Sequence, residues 1–255
     1  MVEIKTDRSL DAMREAGRVV AHALEAARDA AAVGVSLKEL DEAAHAVLDK
    51  AGASSPFLGY QPSFASSPFP AVICASVNDV ITHGFPDGYR LRDGDLVSVD
   101  CGATLDGWVG DAAVSFVVGH ARAADLALIA ATERALHAGI AAATVGARIG
   151  DIAHAVGGIG RASGYGIPSD FGGHGVGRTM HEDPAVPNDG RPGRGYKLRH
   201  GLVLAIEPMF IAGGRDAYRT AANGWALHTI DGTRAAHAEH TVAITDEGPR
   251  ILTLP

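Results

Sequence analysis

The stretch VSVDCGATLDGWVGD, residues 97–111, holds two runs of alternating apolar residues on either side of the dipeptide Asp106-Gly107. An Asp-Gly pair between alternating apolar positions is the signature of a type I′ β-hairpin. A two-residue turn sets the register: Leu105 faces Trp108, Ala103 faces Gly110 and Gly102 faces Asp111. Asp100 and Asp111 then become diagonal neighbours on one sheet face, about 7 Å apart at the backbone, and their side chains converge. A bulge at Gly102 or Gly110 would alter this register. Carboxylates embedded in Val/Leu runs are costly, because an uncompensated buried charge loses several kcal/mol of hydration. One aspartate after a strand is an ordinary turn former or helix cap; what matters here is that the pattern recurs.

Glu207 in LVLAIEPMF (202–210) and Glu239 in AHAEHTVAIT (236–245) stand in similar apolar runs, and His174 sits between glycines in FGGHGVG (171–177). The recurrence follows an internal repeat. A first helix pattern starts near Ser9 and carries Leu10, Met13, Gly17, Val20, Leu24 and Ala27 before stopping at Gly34. Ser36 and Glu39 form a capping-box pattern that opens a second helix ending at Gly52. Shifting Val33, Gly34, Leu37, Leu40, Ala44, Val47 and Gly52 by 112 positions lands on Val145, Gly146, Ile149, Ile152, Val156, Ile159 and Gly164. A third helix over about 123–143 and a fourth ending at Gly164 therefore repeat the first pair. Strands follow in both halves: PAVICASV, LVSVDCGATL and WVGDAAVSFVV in the first, then GLVLAIEPMFI, WALHTI and HTVAIT in the second, with Asp231-Gly232 as a second turn. The expectation is one α+β catalytic domain over 1–255, with two pseudo-symmetric halves at about 8–118 and 122–250. Each half supplies two carboxylates.

Composition narrows the chemistry. With 255 residues, 47% of them apolar, the chain can build a substantial core. The net charge of −8 and the absence of a Lys/Arg cluster, RPGRGYKLRH (191–200) being only modestly basic, argue against nucleic acid as a partner. The start, MVEIKTDRSL, has no signal core and no segment could span a bilayer, so a cytoplasmic location and no membrane partner are expected. Cys74 and Cys101 are too few for a disulfide framework or a thiolate zinc site. Any metal is therefore held by oxygen and nitrogen. Four carboxylates balance two divalent cations, which could share and acidify a water; one imidazole with four acids suits Mn, Fe, Co or Zn without choosing among them.

The segments SVNDVITHGFP (76–86), VSVDCGATLDGWVGD (97–111), GGHGVGRTMHEDP (172–184), AIEPM (205–209) and EHTVAIT (239–245) together resemble the type I methionine aminopeptidases, from the helix at Ser9 to the chain end. The resemblance implies the pita-bread fold, with a curved antiparallel sheet and outer helices. It implies that Asp100, Asp111, His174, Glu207 and Glu239 ligate two divalent metal ions, with Asp111 and Glu239 bridging. It further implies catalytic and substrate contacts for His83 in THGFP and His181 in MHEDP, and a proton-carrying role for Glu207. Tyr60, Phe69, Cys74, Met180 and Trp225 align with the apolar pocket for a methionine side chain. The implied activity is removal of the initiator methionine from nascent chains with a small second residue, by a monomer that could touch the ribosome transiently.

Two departures from the family pattern bear on that pocket: Met180 replaces a frequent Phe, and QPSFASSPFP (61–70) lengthens the loop before Cys74. No helical insertion of the type II kind lies between His174 and Glu207. Xaa-Pro aminopeptidases and dipeptidases share the ligand types but usually add a large N-terminal domain, which this chain is expected to lack. A non-catalytic binding module of the same fold would have lost ligands, and none is missing. His45, His120, His137, His154 and His200 read as loop or surface histidines, and His228 and His240 as satisfied core or supporting residues. Cys74 alone would read as core filling, and Gly157, Gly158 and Gly160 as helical rather than a phosphate loop.

Overall fold

In the computed structural model, which describes residues 2–63 and 65–255, the first helix begins earlier than its apolar pattern indicates. Helix α1 (Asp7–Ala30) is opened by Thr6, whose hydroxyl accepts the Ser9 N–H at 3.3 Å. Cap chemistry sets the start, whereas periodicity registers only the first buried residue, Leu10. Helix α2 (Leu37–Ala51) has the expected capping box: Ser36 accepts from Glu39 N–H, and the Glu39 carboxylate accepts from Ser36 N–H at 2.8 Å. Helices α3 (Ala123–Ala142) and α4 (Ile149–Ala162) form the second pair, and Gly157, Gly158 and Gly160 lie inside α4.

The strands are β1 (Ile73–Val77), β2 (Val80–Thr82), β3 (Leu96–Leu105), β4 (Trp108–Val117), β5 (Gly172–Gly175), β6 (Glu182–Pro187), β7 (Val203–Ile206), β8 (Met209–Ile211), β9 (Tyr218–Thr220), β10 (Leu227–Thr229), β11 (Ala235–His237), β12 (Glu239–Thr245) and β13 (Gly248–Ile251). The main sheet runs β1-β3-β4-β12-β7-β5-β6, with β13 also on β12. The β3–β4 hairpin pairs Leu105 with Trp108, Ala103 with Gly110 and Gly102 with Asp111, as the turn requires. Asp106 and Gly107 take φ values of 50° and 75°, the left-handed pair of a type I′ turn.

The second half departs from the expected copy of this scheme. The run 201–211 is not one strand: Glu207-Pro208 separates β7 from β8, because Pro208 has no N–H to donate to a ladder. Asp231-Gly232 closes no hairpin either. β10 pairs with β2 and β9, while β11 pairs with β8. The turn is held locally, with the Thr233 hydroxyl donating to Asp231 at 2.6 Å. The counterpart of the β3–β4 hairpin is the long-range pair β7–β12, in which Thr241 faces Ala205.

Strand pleat then decides which side chains meet. Val97, Val99, Cys101, Ala103 and Ala112 pack with Val20, Leu24, Leu40 and Leu48 of the α1–α2 pair. Leu204, Ile206, Val242 and Ile244 pack with Leu136, Ile152 and Val156 of the α3–α4 pair. Since successive side chains alternate faces, Asp100, Asp111 and Glu239 are turned away from the helices, and Glu207 follows β7 in the same phase. The sheet halves join at the β4–β12 seam, where Ala113 pairs with Glu239. There the Thr241 hydroxyl accepts the Asp111 N–H at 2.9 Å and donates to the Asp111 carbonyl at 2.7 Å. Among the described residues no helix is long and apolar enough to cross a membrane.

Candidate metal centre

Asp100 on β3, Asp111 on β4, Glu207 at the end of β7 and Glu239 at the start of β12 project from four adjacent strands into one cavity of about 60 Å³. His174 enters from β5, its Nε2 3.6 Å from Glu207 Oε1 and 3.9 Å from Asp111 Oδ2. Its Nδ1 donates to the Gly175 carbonyl at 2.9 Å, which leaves the Nε2 lone pair facing the acids. Asp111 and Glu239 are almost fully buried.

The electrostatics of this cluster are those of a site short of positive charge. Burial pushes the Asp111 and Glu239 carboxyls well above their ordinary range, and the neighbouring acids push them further. Asp100 rises to about 7, again chiefly through burial, with His237 opposing the rise. Glu207 goes the other way: burial would raise it, but His237, His174 and His181 outweigh burial and hold it below the usual range. Asp100 Oδ1, Asp111 Oδ1, Glu239 Oε1 and His237 Nε2 are buried without a hydrogen-bond partner. Orphaned carboxylate oxygens buried in a pocket are unfavourable unless a cation meets them. The donor set of hard oxygens with imidazole nitrogen fits divalent metal ions. Glu239 belongs to two groups whose donor atoms lie within 4.8 Å of one another, Asp111–His174–Glu239 and Glu207–His237–Glu239.

Every residue singled out from the sequence lines this cavity. Tyr60, Phe69, Cys74, Met180 and Trp225 form an apolar wall, and His83 and His181 stand between that wall and the acids. Phe69 and Trp225 meet edge to face at 5.2 Å between ring centroids, and the Trp225 indole N–H donates to the Ser67 carbonyl at 2.9 Å. The lengthened loop therefore closes against the pocket. His83 has a left-handed backbone, φ 57°, and its ring stands perpendicular to Trp225; burial lowers its pKa to about 4. His181 lies at the mouth, exposed on one side, with its ring 4.3 Å from that of His174 and 5.6 Å from Tyr60. Burial of its inner side, helped by His174, draws it down as well. The Cys74 thiol is pushed up by burial and by the acids, so it stays protonated and packs as an apolar group. His228 instead pairs with Asp79 at 2.9 Å and His240 with Thr253 at 2.8 Å.

Two residues escaped the sequence reading. Phe57 joins the apolar wall; it lies in a loop without periodicity, and no local signal marks it. His237 is buried with Nε2 3.6 Å from Glu207 Oε2 and 3.8 Å from Glu239 Oε2. Its signal was available in strand alternation, which puts His237 and Glu239 on one face two residues apart.

The profile of metallopeptidase family M24 matches residues 11–246. The chain is 53% identical over 252 residues to methionine aminopeptidase 1 of Mycobacterium tuberculosis, covering 96% of this chain and 92% of that protein. It is 45% identical to a methionine aminopeptidase of Clostridium acetobutylicum, covering 100% and 99%. Its structure is similar to that of methionine aminopeptidase from Thermotoga maritima, with a TM-score of 0.95, 37% identity and full coverage of both chains. A prolidase from Pyrococcus horikoshii shares the fold at a TM-score of 0.76 and 22% identity, over 98% of this chain and 63% of that one.

Proposed function

The chain belongs to metallopeptidase family M24, with the pita-bread fold, and from that premise we propose that it removes N-terminal methionine from peptides and nascent proteins. The observation that carries this reading is the joint one: four buried acids and an imidazole form the floor of a cavity whose wall is aromatic, thioether and thiol. A methionine side chain suits that wall, since sulfur and aromatic surfaces attract one another and nothing charged interrupts them. The acids at the floor match the free amine and scissile amide that a methionine in this pocket would present.

Asp100, Asp111, His174, Glu207 and Glu239 would hold the divalent cations. When bound, such ions supply Lewis acidity, acidifying a water and polarising the scissile carbonyl. The chain's own groups supply the rest. Glu207, ionised because imidazoles face it, accepts a proton from the attacking water and passes it on. His181, at the mouth, donates N–H to the carbonyl oxygen as negative charge develops there. His83, neutral in its buried setting, donates towards the leaving nitrogen. Phe69 and Trp225 exclude water from the methionine side chain and fix its depth in the pocket.

A comparison of Met-Ala-Ser with Ala-Pro substrates, using chelated protein restored separately with Mn²⁺, Fe²⁺, Co²⁺ and Zn²⁺, tests the reading. Cleavage of the methionyl peptide with at least one metal is expected. Cleavage confined to Ala-Pro would make the protein an Xaa-Pro peptidase, and no cleavage with any metal would make it a binding module.

A further inference from the structure

We propose that His237 is a second nitrogen donor of the metal centre, binding through Nε2 the divalent cation that Glu207 and Glu239 share. The proposal rests on the reading of this cluster as a metal site, though not on the identity of the substrate.

His237 is 1% exposed and its Nε2 has no hydrogen-bond partner. The nearest acids, Glu207 Oε2 at 3.6 Å and Glu239 Oε2 at 3.8 Å, lie beyond the 2.7–3.2 Å of an N–H···O bond. A protonated Nε2 would leave a buried donor unsatisfied, and an unprotonated one would leave a lone pair facing two carboxylates. A shared cation resolves both. Donors 2.0–2.2 Å from one ion stand about 3.3–3.6 Å apart in a tetrahedral arrangement. His237 meets that spacing at Glu207, 3.6 Å, and exceeds it slightly at Glu239, 3.8 Å; His174 does the same, at 3.6 Å from Glu207 and 3.9 Å from Asp111. The two imidazoles address opposite oxygens of Glu207, Oε1 and Oε2.

The position of His237 is prearranged by the hairpin that carries Asp100 and Asp111. Its backbone N–H donates to the Ser115 hydroxyl at 3.0 Å, and that hydroxyl donates to the His237 carbonyl at 2.7 Å. The Ser98 hydroxyl completes the chain 2.7 Å from Ser115. On its other side His237 pairs with Met209, two residues beyond Glu207. Three of the acids and this imidazole are thus locked into one frame, which is what a ligand needs and a core histidine does not.

Cobalt-loaded protein provides the test, because each histidine bound to Co²⁺ gives one hyperfine-shifted, solvent-exchangeable imidazole N–H signal in the proton NMR spectrum. Two such signals are expected, one lost in His174→Ala and the other in His237→Gln. His237→Gln, which keeps an N–H donor of similar reach, should also weaken Co²⁺ binding in calorimetry by about tenfold or more. One signal that disappears in His174→Ala and persists in His237→Gln overturns the proposal and makes His237 a donor to Glu207 instead. The signal count in the native protein decides the matter even if a variant fails to fold. Two signals in a protein that cleaves no methionyl peptide would keep the ligand and remove the activity; a protein that takes up no cobalt would remove both.

Discussion

At Asp100 burial outweighs favourable charge, lifting the carboxyl to about 7 although the imidazole of His237 opposes the lift. Burial also pushes Asp111 and Glu239 well up, whereas Glu207 is held low by the imidazoles around it. In the metal-free protein Asp100 is therefore largely protonated at pH 6 and Glu207 is not. A cation binds only the ionised carboxylate, so its uptake must expel the Asp100 proton. Calorimetry of Mn²⁺ binding at pH 6, in buffers of different ionisation enthalpy, should show net proton release, with the share from Asp100 fading as pH rises through about 7. Uptake without proton release at pH 6 would mean that Asp100 is already ionised in its buried setting. The two acid pairs were visible in the sequence because carboxylates inside Val/Leu runs need an explanation. His237 was passed over because a histidine in such a run is an ordinary half-polar core residue until its unsatisfied nitrogen is seen.

Helix α1 crosses strand β4 at two glycines, and this contact fixes how closely the helix layer lies on the hairpin that carries Asp100 and Asp111. A Cβ on Gly110 would meet Gly17 Cα and N at 2.9 Å, and a Cβ on Gly17 would collide with the Leu252 carbonyl. Helix propensity alone would reward Gly17→Ala by about 1 kcal/mol. Overpacking against backbone costs about 1–3 kcal/mol, so the clash wins. Both Gly17→Ala and Gly110→Ala should lower stability in urea unfolding, and Gly110→Ala should in addition weaken metal binding, because Asp111 is the next residue. Stabilisation of Gly17→Ala would show that the helix does not seat as closely as described. Elements stated by local chemistry, the capping box at Ser36 and the Asp106-Gly107 hairpin, were legible as written. The second Asp-Gly turn was not, because β10 and β11 find their partners far away in sequence, in β2, β9 and β8.

For the whole molecule, the candidate metal centre lies on the seam that joins the two halves. The acids from both halves converge where β4 meets β12, so without a cation they stay buried there only by holding protons. Treatment with a chelator should lower the thermal midpoint, and adding back the best metal at about a hundred times its dissociation constant should recover roughly 2.7 kcal/mol, less any binding to the unfolded chain. An unchanged midpoint on chelation would mean that the acids are neutralised by protons alone. The α+β class, the paired helices, the hairpin register and the choice of the four acids and one histidine that meet in one cavity were legible in the sequence, since each rests on spacing along the chain: a 3.6-residue period, a two-residue turn, or motifs in fixed order. Tertiary structure alone decided that the second half pairs β7 with β12 rather than copying the first hairpin, that Phe57 lines the pocket, and that His237 reaches Glu207 and Glu239. These facts depend on which distant strands share a sheet, and that choice is made by burial of whole faces, a property no local stretch of sequence carries.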